Sequence, residues 1–298
     1  MRWKILSNLL LVCCLILATV SSSAAQNATA PVPAGPVGVN HGAGGLGFPV
    51  GKFCAVANYR YAHKDQWYLH TSDEDGPDRE VFSHNILFKT RYGIAEGWDV
   101  RTATPFLLNT IEADGRNDAW SGGLGDTTAI LHNQFASQKK GAPLNLAWDL
   151  GIVVPTGEVG SNNIGSGAWG GLVGLGATWI GGGHRLETDM SYLVYTEGYK
   201  DVTKGDRLRI NAHYAYALST RLDLGLEGYY EWTQEDEAGG DDLGNDAKTL
   251  YAGPKFNLKF PEYGVTFGGA VLGAAYREYE KKSLTEDWRA EFKLIKLF

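Results

Sequence analysis

The stretch RLRINAHYAYALSTRLDLGLEGYYEW, Arg207 to Trp232, decides the fold because of its alternation. Leu208, Ile210, Ala212, Tyr214, Tyr216 and Leu218 form one set, and Arg207, Arg209, Asn211 and His213 the other. After Ser219-Thr220-Arg221 the pattern resumes, with Leu222, Leu224, Leu226, Gly228, Tyr230 and Trp232 against Asp223, Glu227, Tyr229 and Glu231. A period of two means strands with one apolar and one polar face. The break is a three-residue hairpin turn. In that register Leu218 faces Leu222, His213 faces Glu227 and Arg209 faces Glu231. A water-soluble sandwich would show this alternation, and so would a membrane barrel with lipid outside and water inside.

Twelve such segments run along the chain, near 52–63, 81–93, 97–109, 124–136, 143–155, 167–181, 184–196, 206–218, 222–233, 247–260, 263–277 and 286–298. Each is long enough to cross a bilayer at a tilt. The connections between them alternate long and short. KDQWYLHTSDEDGPDRE, TIEADGRNDAWSGG, TGEVGSNNIGSG, TEGYKDVTKG, TQEDEAGGDDLGND and EYEKKSLT are the long set; GIAE, SQKKGA, GG, STR and PE are the short set. A sandwich has no reason to sort its loops this way. An outer-membrane barrel does, with short periplasmic turns and long extracellular loops. Aromatics gather at both strand ends, as two interfacial belts would require. Tyr92, Trp98, Trp179, Tyr216, Phe260, Tyr263 and Phe298 lie near the short turns. Tyr59, Tyr61, Tyr195, Tyr230, Trp232, Tyr276 and Trp288 lie near the long loops, and Trp148 reads as a mid-strand exception. The expected fold is therefore all-β: a transmembrane, antiparallel, up-and-down β-barrel of about twelve strands over 52–298, in the bacterial outer membrane with both termini in the periplasm. The last strand, WRAEFKLIKLF, ends in an aromatic residue, as in barrels delivered to the outer-membrane assembly machinery, although Lys296 interrupts its apolar face.

Residues 1–25 read as a signal peptide: a basic start at Arg2 and Lys4, the apolar run ILSNLLLVCCLILATV, and small residues up to Ala25. Cys13 and Cys14 fall within it, leaving Cys54 as a small wall residue with no disulfide partner. Without Arg2 and Lys4, the chain's 27 basic residues become 25 against 34 acidic ones, a formal charge of −9. That balance argues against nucleic acid as a partner. The expected partners are outer-membrane lipid and lipopolysaccharide, the assembly machinery, and a small-molecule solute.

The glycine-rich stretch Gly171 to His184 lacks the third glycine and the following helix of a nucleotide loop, and reads as relief for strand curvature. The seven histidines show no metal spacing, and the acidic runs match no calcium-loop pattern. Ser83 and His84 are neighbours on one strand and face opposite sides, which disfavours a hydrolytic triad. The reading is of a protein that is not an enzyme and carries no cofactor and no metal.

The polar faces carry the useful chemistry. Arg60, Lys89, Arg91, Asp126, His132, Asp149, Glu187, Asp189, Arg207, Arg209, His213, Glu227 and Glu231 are the candidate lumen-lining residues, with both signs alternating from strand to strand. Arg185, Asp223, Lys255, Lys259, Arg289, Glu291 and Lys293 share that phase. Such a lumen either conducts through water or is locked by ion pairs. Twelve strands sit between a side-chain-filled eight-stranded barrel and an open sixteen-stranded pore.

Ahead of the barrel, 26–51 is rich in proline and glycine and nearly uncharged. It is either a flexible periplasmic leader or a plug folded into the lumen. A plug would leave solute to pass through an apolar pocket beside Pro31–Val50.

Several stretches resemble a family of bacterial outer-membrane proteins assigned to the meta-pathway of phenol degradation. They are GPVGVNHGAGGLGFPVGKFCAVANYRY, TRYGIAEGWDVRTATPF, GGLGDTTAILHNQF and GIVVPTGE, in the family's order and spacing. The resemblance spans most of the chain after residue 25. It implies a barrel that passes hydrophobic or aromatic compounds inward, and it supplies no catalytic residues. The family's entry segment is often richer in Met and His; here His41 stands alone. The expected function is passive uptake of small hydrophobic or aromatic molecules. The alternatives are a general diffusion porin for polar solutes and a largely closed structural or adhesive barrel.

Overall fold

The computed structural model describes residues 30–113, 119–160 and 164–298. The expected signal peptide, 1–25, lies outside the described residues, as do parts of two long loops. Among the described residues, twelve long strands form the wall. They are β1 (Phe53–Lys64), β2 (Arg79–Ala95), β3 (Trp98–Ala113), β4 (in two pieces, Ala119–Leu124 and Thr127–Ala136), β5 (Asn145–Val154), β6 (Gly170–Gly181), β7 (His184–Tyr195), β8 (Arg207–Ala217), β9 (Leu222–Thr233), β10 (Ala247–Phe260), β11 (Val265–Thr285) and β12 (Trp288–Leu297). Every strand pairs antiparallel with its chain neighbours. The ring closes where β1 pairs with β12, from Cys54 opposite Leu297 to Ala62 opposite Arg289. Closure removes the sheet edges that lipid could not satisfy.

The hairpin of β8 and β9 has the register that alternation implies. Arg209 lies opposite Glu231 and His213 opposite Glu227, while the Leu218 N–H donates to the Leu222 carbonyl at 2.9 Å. Ser219 Oγ holds the turn by accepting from the N–H groups of Arg221 and Leu222 at 3.1 and 3.0 Å.

Burial is inverted relative to a water-soluble core. On β9 the outward Leu224 and Leu226 are exposed, Leu226 by 59%, while Asp223 and Glu227 on either side of them are buried. The same holds round the ring, with Val173 and Leu175 outside and Asn211, Asn257, Asp99 and Glu291 wholly buried inside. An apolar exterior around a polar interior fits lipid as the outer solvent. Tyr92, Tyr216, Tyr263 and Phe298 are exposed at the short-turn end, and Tyr276 and Trp288 at the other. Trp148 is no exception to the belts. It is the fourth residue of β5 and meets Trp98 edge-on at 5.4 Å, near the short turns. Lys296 keeps its outward stem and bends its ammonium to the Tyr263 carbonyl, 2.5 Å away, at the rim of the short-turn end.

Several strand ends differ from the sequence expectation, among them the start of β4, which lies at Ala119 rather than near 124. β2 starts at Arg79, β3 runs to Ala113, β6 starts at Gly170, and β11 runs to Thr285. The loops after β3 and β11 are correspondingly shorter. Hydrogen-bonded pairing continues where the side-chain pattern has already turned polar: Arg79 pairs with Ala113, and Ser283, Leu284 and Thr285 pair with Tyr68, Trp67 and Gln66 of the first long loop. Alternation marks the part of a strand that meets lipid, not the end of its ladder.

Candidate functional site

Residues 30–50 lie inside the barrel, held almost entirely through their main chain. The path begins beside β1, where the Gly51 N–H donates to the Gly93 carbonyl at 2.9 Å and the Gly93 N–H to the Lys52 carbonyl at 3.1 Å. From there the leader crosses the short-turn half of the lumen. Phe48 N–H donates to Asp99 (3.1 Å), Gly47 N–H to Gln134 (2.9 Å) and Gly45 N–H to Thr178 (2.9 Å). At mid-barrel Gly42 N–H reaches Asp189 at 3.2 Å and Val39 N–H reaches Glu291 at 2.7 Å. Gly38 and Val37 both donate to Glu227, at 2.7 and 2.9 Å. The segment then returns toward the short turns, where Ala34 N–H donates to Asp223 at 2.6 Å.

The carbonyls are matched by the opposite sign. Lys89 donates to Val39 and His41 (3.0 and 3.2 Å), Lys255 and Lys293 to Gly35 (3.1 and 2.9 Å), Lys259 to Val32 (3.0 Å), and Arg91 to Leu46. Buried peptide groups need such partners, and charged ones bind more strongly than neutral ones. This explains why an uncharged leader belongs to a densely charged lumen: many of the alternating charges complement its N–H and C=O groups.

Glycine makes the close passage feasible. A Cβ on Gly45 would lie 1.9 Å from the Asn145 carbonyl oxygen, and one on Gly176 of β6 would lie 2.1 Å from the Gly44 carbonyl oxygen. Gly44 itself has a φ of +55°. The glycine run of β6, read from sequence as curvature relief, thus includes a position that gives the leader room.

Most of the candidate residues converge on this arrangement. Lys89, Arg91, Asp189 and Glu227 touch the leader directly. Arg60 pairs with Glu291 at 2.7 Å, Arg209 with Glu231, and Glu187 with Arg185. His132 Nδ1–H donates to the Asp149 carboxylate at 2.7 Å, next to Arg101 and the Arg91–Asp99 pair. His213 sits against Lys255. Arg207 has a buried Nε with no hydrogen-bond partner among the described residues. Asp126 stands apart: at the break in β4 it accepts from Gly157 N–H (3.0 Å) and from the N–H and hydroxyl of Ser166 (2.8 and 2.5 Å), tethering the loop after β5. The charged-residue reading omitted Asp99 and Arg101, and the amides Asn58, Asn211, Asn257 and Gln134, which serve the same lumen. All but Gln134 are wholly buried or ion-paired there. Their phase on each strand was the available signal.

Above the leader, toward the long loops, a cavity of about 230 Å³ remains, lined by residues that include Arg60, Lys64, Asn85, Tyr229, Tyr251 and Arg289. It is not the apolar pocket expected from the sequence, because Glu231, Thr249 and Glu286 also line it. Val37 of the leader packs into its tyrosine wall with Tyr229, Tyr251, Ala270 and Leu272.

Comparison with known proteins places the fold. An outer membrane channel from Pseudomonas putida F1 superposes with a TM-score of 0.69 at 15% identity, over 84% of this chain and 97% of that one. The beta domain of a Bordetella autotransporter gives a TM-score of 0.48 at 9% identity, over 83% of this chain and all of that one. A FadL homologue from Pseudomonas aeruginosa gives 0.43 at 4% identity, over 83% and 90%. No curated protein matches. At the level of sequence, residues 74–284, from the first long loop to the end of β11, match one family across most of the barrel wall, and the chain therefore belongs to the family described as "Putative MetA-pathway of phenol degradation".

Proposed function

We propose that the chain is a bacterial outer-membrane barrel for passive entry of small aromatic compounds, with a leader that closes the lumen to bulk water and ions. The observation that carries this reading is the main-chain bonding of Val32–Phe48 to charges on opposite walls. A general pore has no use for a segment bonded across its bore. The family description, which names phenol degradation, supports an aromatic solute. The channel name of the Pseudomonas putida F1 protein supports transport. In the proposed orientation the short turns and both termini face the periplasm, the long loops face outward, and solute enters first into the cavity above the leader.

The test is a paired measurement. In planar bilayers the intact protein shows little steady ion conductance, and deletion of Pro31–Val50 raises it. Cells lacking the protein take up dilute phenol or toluene more slowly, with sugar uptake unchanged. Large conductance from the intact protein with equal loss of sugar uptake makes it a general porin. No conductance after the deletion, with normal aromatic uptake in its absence, makes it a closed structural barrel.

A further inference from the structure

The cavity above the leader combines two features that point to one ligand chemistry. The first is an aromatic wall: Tyr229 and Tyr251 are stacked with centroids 5.6 Å apart. Arg289 lies over the Tyr251 ring at 3.5 Å and Arg60 over the Tyr229 ring at 5.4 Å. The second is an imbalance of donors over acceptors. The carboxylates have partners: Glu231 is held by Arg209, Glu286 by Arg289, and Glu291 behind the wall by Arg60. The cations retain spare capacity. Arg60 Nη2 and Arg289 Nε are buried without a hydrogen-bond partner among the described residues, and Arg289 is only 6% exposed. Lys64, which also lines the cavity, makes no ion pair among the described residues.

Guanidinium groups present N–H donors in a planar fork that matches a carboxylate, and their burial strengthens the match. A tyrosine face adds area for a flat ring. The volume, below the roughly 300–1,000 Å³ of drug-sized sites, suits a molecule with one ring. Resting on the reading of aromatic entry, we infer that this cavity binds a single-ring aromatic carboxylate. Its ring packs against the tyrosine wall, and its oxygens accept from Arg60 and Arg289. A bare hydrocarbon would leave both donors unmatched, and a small aliphatic acid would leave the wall uncovered.

The experiment is calorimetric titration of the full-length barrel in detergent with benzoate, toluene and acetate. Benzoate binds at least about tenfold more tightly than either of the others. Arg289→Gln lowers benzoate affinity about tenfold or more. Because that change also frees Glu286, Lys64→Gln is the second variant: it breaks no ion pair, and it weakens benzoate binding more at low salt than at high salt. Arg221→Gln, on the opposite rim beside Glu262, is the control and leaves benzoate binding unchanged. Benzoate no tighter than toluene, or indifferent to both cavity variants, overturns the inference. In that event continued toluene uptake by cells leaves the broader aromatic-entry reading standing, whereas loss of aromatic dependence altogether removes both.

Discussion

Glu227→Gln is the sharpest single test of how the leader is held. Glu227 accepts from Val37 N–H at 2.9 Å and from Gly38 N–H at 2.7 Å, and its Oε2 lies 3.7 Å from Lys255 Nζ, with both side chains fully buried. Glutamine keeps the shape but only one acceptor oxygen. The short Val37 bond to Oε2 is then replaced by an amide NH2, leaving Val37 N–H only the longer 3.3 Å contact to the oxygen that Gly38 also uses, and both bonds lose their charge. A hydrogen bond to a charged group contributes about 1.5–3 kcal/mol, and a buried donor left unsatisfied costs about 1–3 kcal/mol. The combined loss is roughly 3–5 kcal/mol, which corresponds to an opening equilibrium larger by about two to nearly four orders of magnitude. The assay is labelling of a cysteine at Val37, which is wholly buried, by a membrane-impermeant maleimide in a Cys54→Ala background. Glu227→Gln raises the labelling rate by that factor and adds brief conductance events in bilayers. The half of the leader near Gly45 stays protected, because its bonds to Thr178 and Gln134 are untouched. An unchanged labelling rate refutes the view that paired lumen charges hold the segment in place.

Three further outcomes follow from the geometry. Gly176→Val displaces the leader, since a Cβ there would sit 2.1 Å from the Gly44 carbonyl oxygen; steady conductance rises while the barrel stays folded on a heat-modifiability gel, and an unchanged conductance counts against the close passage. Leu226→Arg, at an outward position near the middle of β9, lowers barrel stability by about 2–4 kcal/mol in urea titrations in lipid, and a neutral effect would mean that this face does not meet hydrocarbon. In the loop after β9, burial raises the Asp236 pKa, but hydrogen bonds from Lys204, the Gly205 N–H and Asn245 outweigh it and hold the carboxyl below its ordinary value. Its stabilisation is therefore present above about pH 4 and lost as pH falls through the lowered value, so a protease site placed in 236–246 is cut faster on whole cells at acid pH, Asp236→Asn reproduces that rate at pH 7, and a site in 137–141 is spared throughout.

The wall was legible because lipid and water impose opposite demands on alternate residues. At 207–232 the register of individual pairs followed from counting back across a three-residue turn. The strand ends were less legible, since Ser283 to Thr285 continue the ladder with side chains that carry no membrane signature. The lumen was legible by charge and under-read by amides. Asn58, Asn211 and Asn257 sit in the same phase as Arg60, Arg209 and Lys255 and bond to the leader's carbonyls at 2.6, 3.0 and 3.3 Å. The leader's path could not be read at all. Recognition through peptide N–H and C=O groups leaves no side-chain pattern to find, only the smallness that close approach demands.

The closing seam has a consequence for the order of construction. Glu291 and Lys293, which hold Val39 N–H and the Gly35 carbonyl, belong to β12, while Asn58, which donates to the Val37 carbonyl, belongs to β1. These two strands meet only when the ring shuts. A segment that precedes the barrel in the chain thus has part of its cradle on the strand that completes the ring, and an unclosed sheet offers it an incomplete one. The cradle that holds the leader is complete only where the wall is sealed, so filling the bore and closing the ring depend on the same two strands.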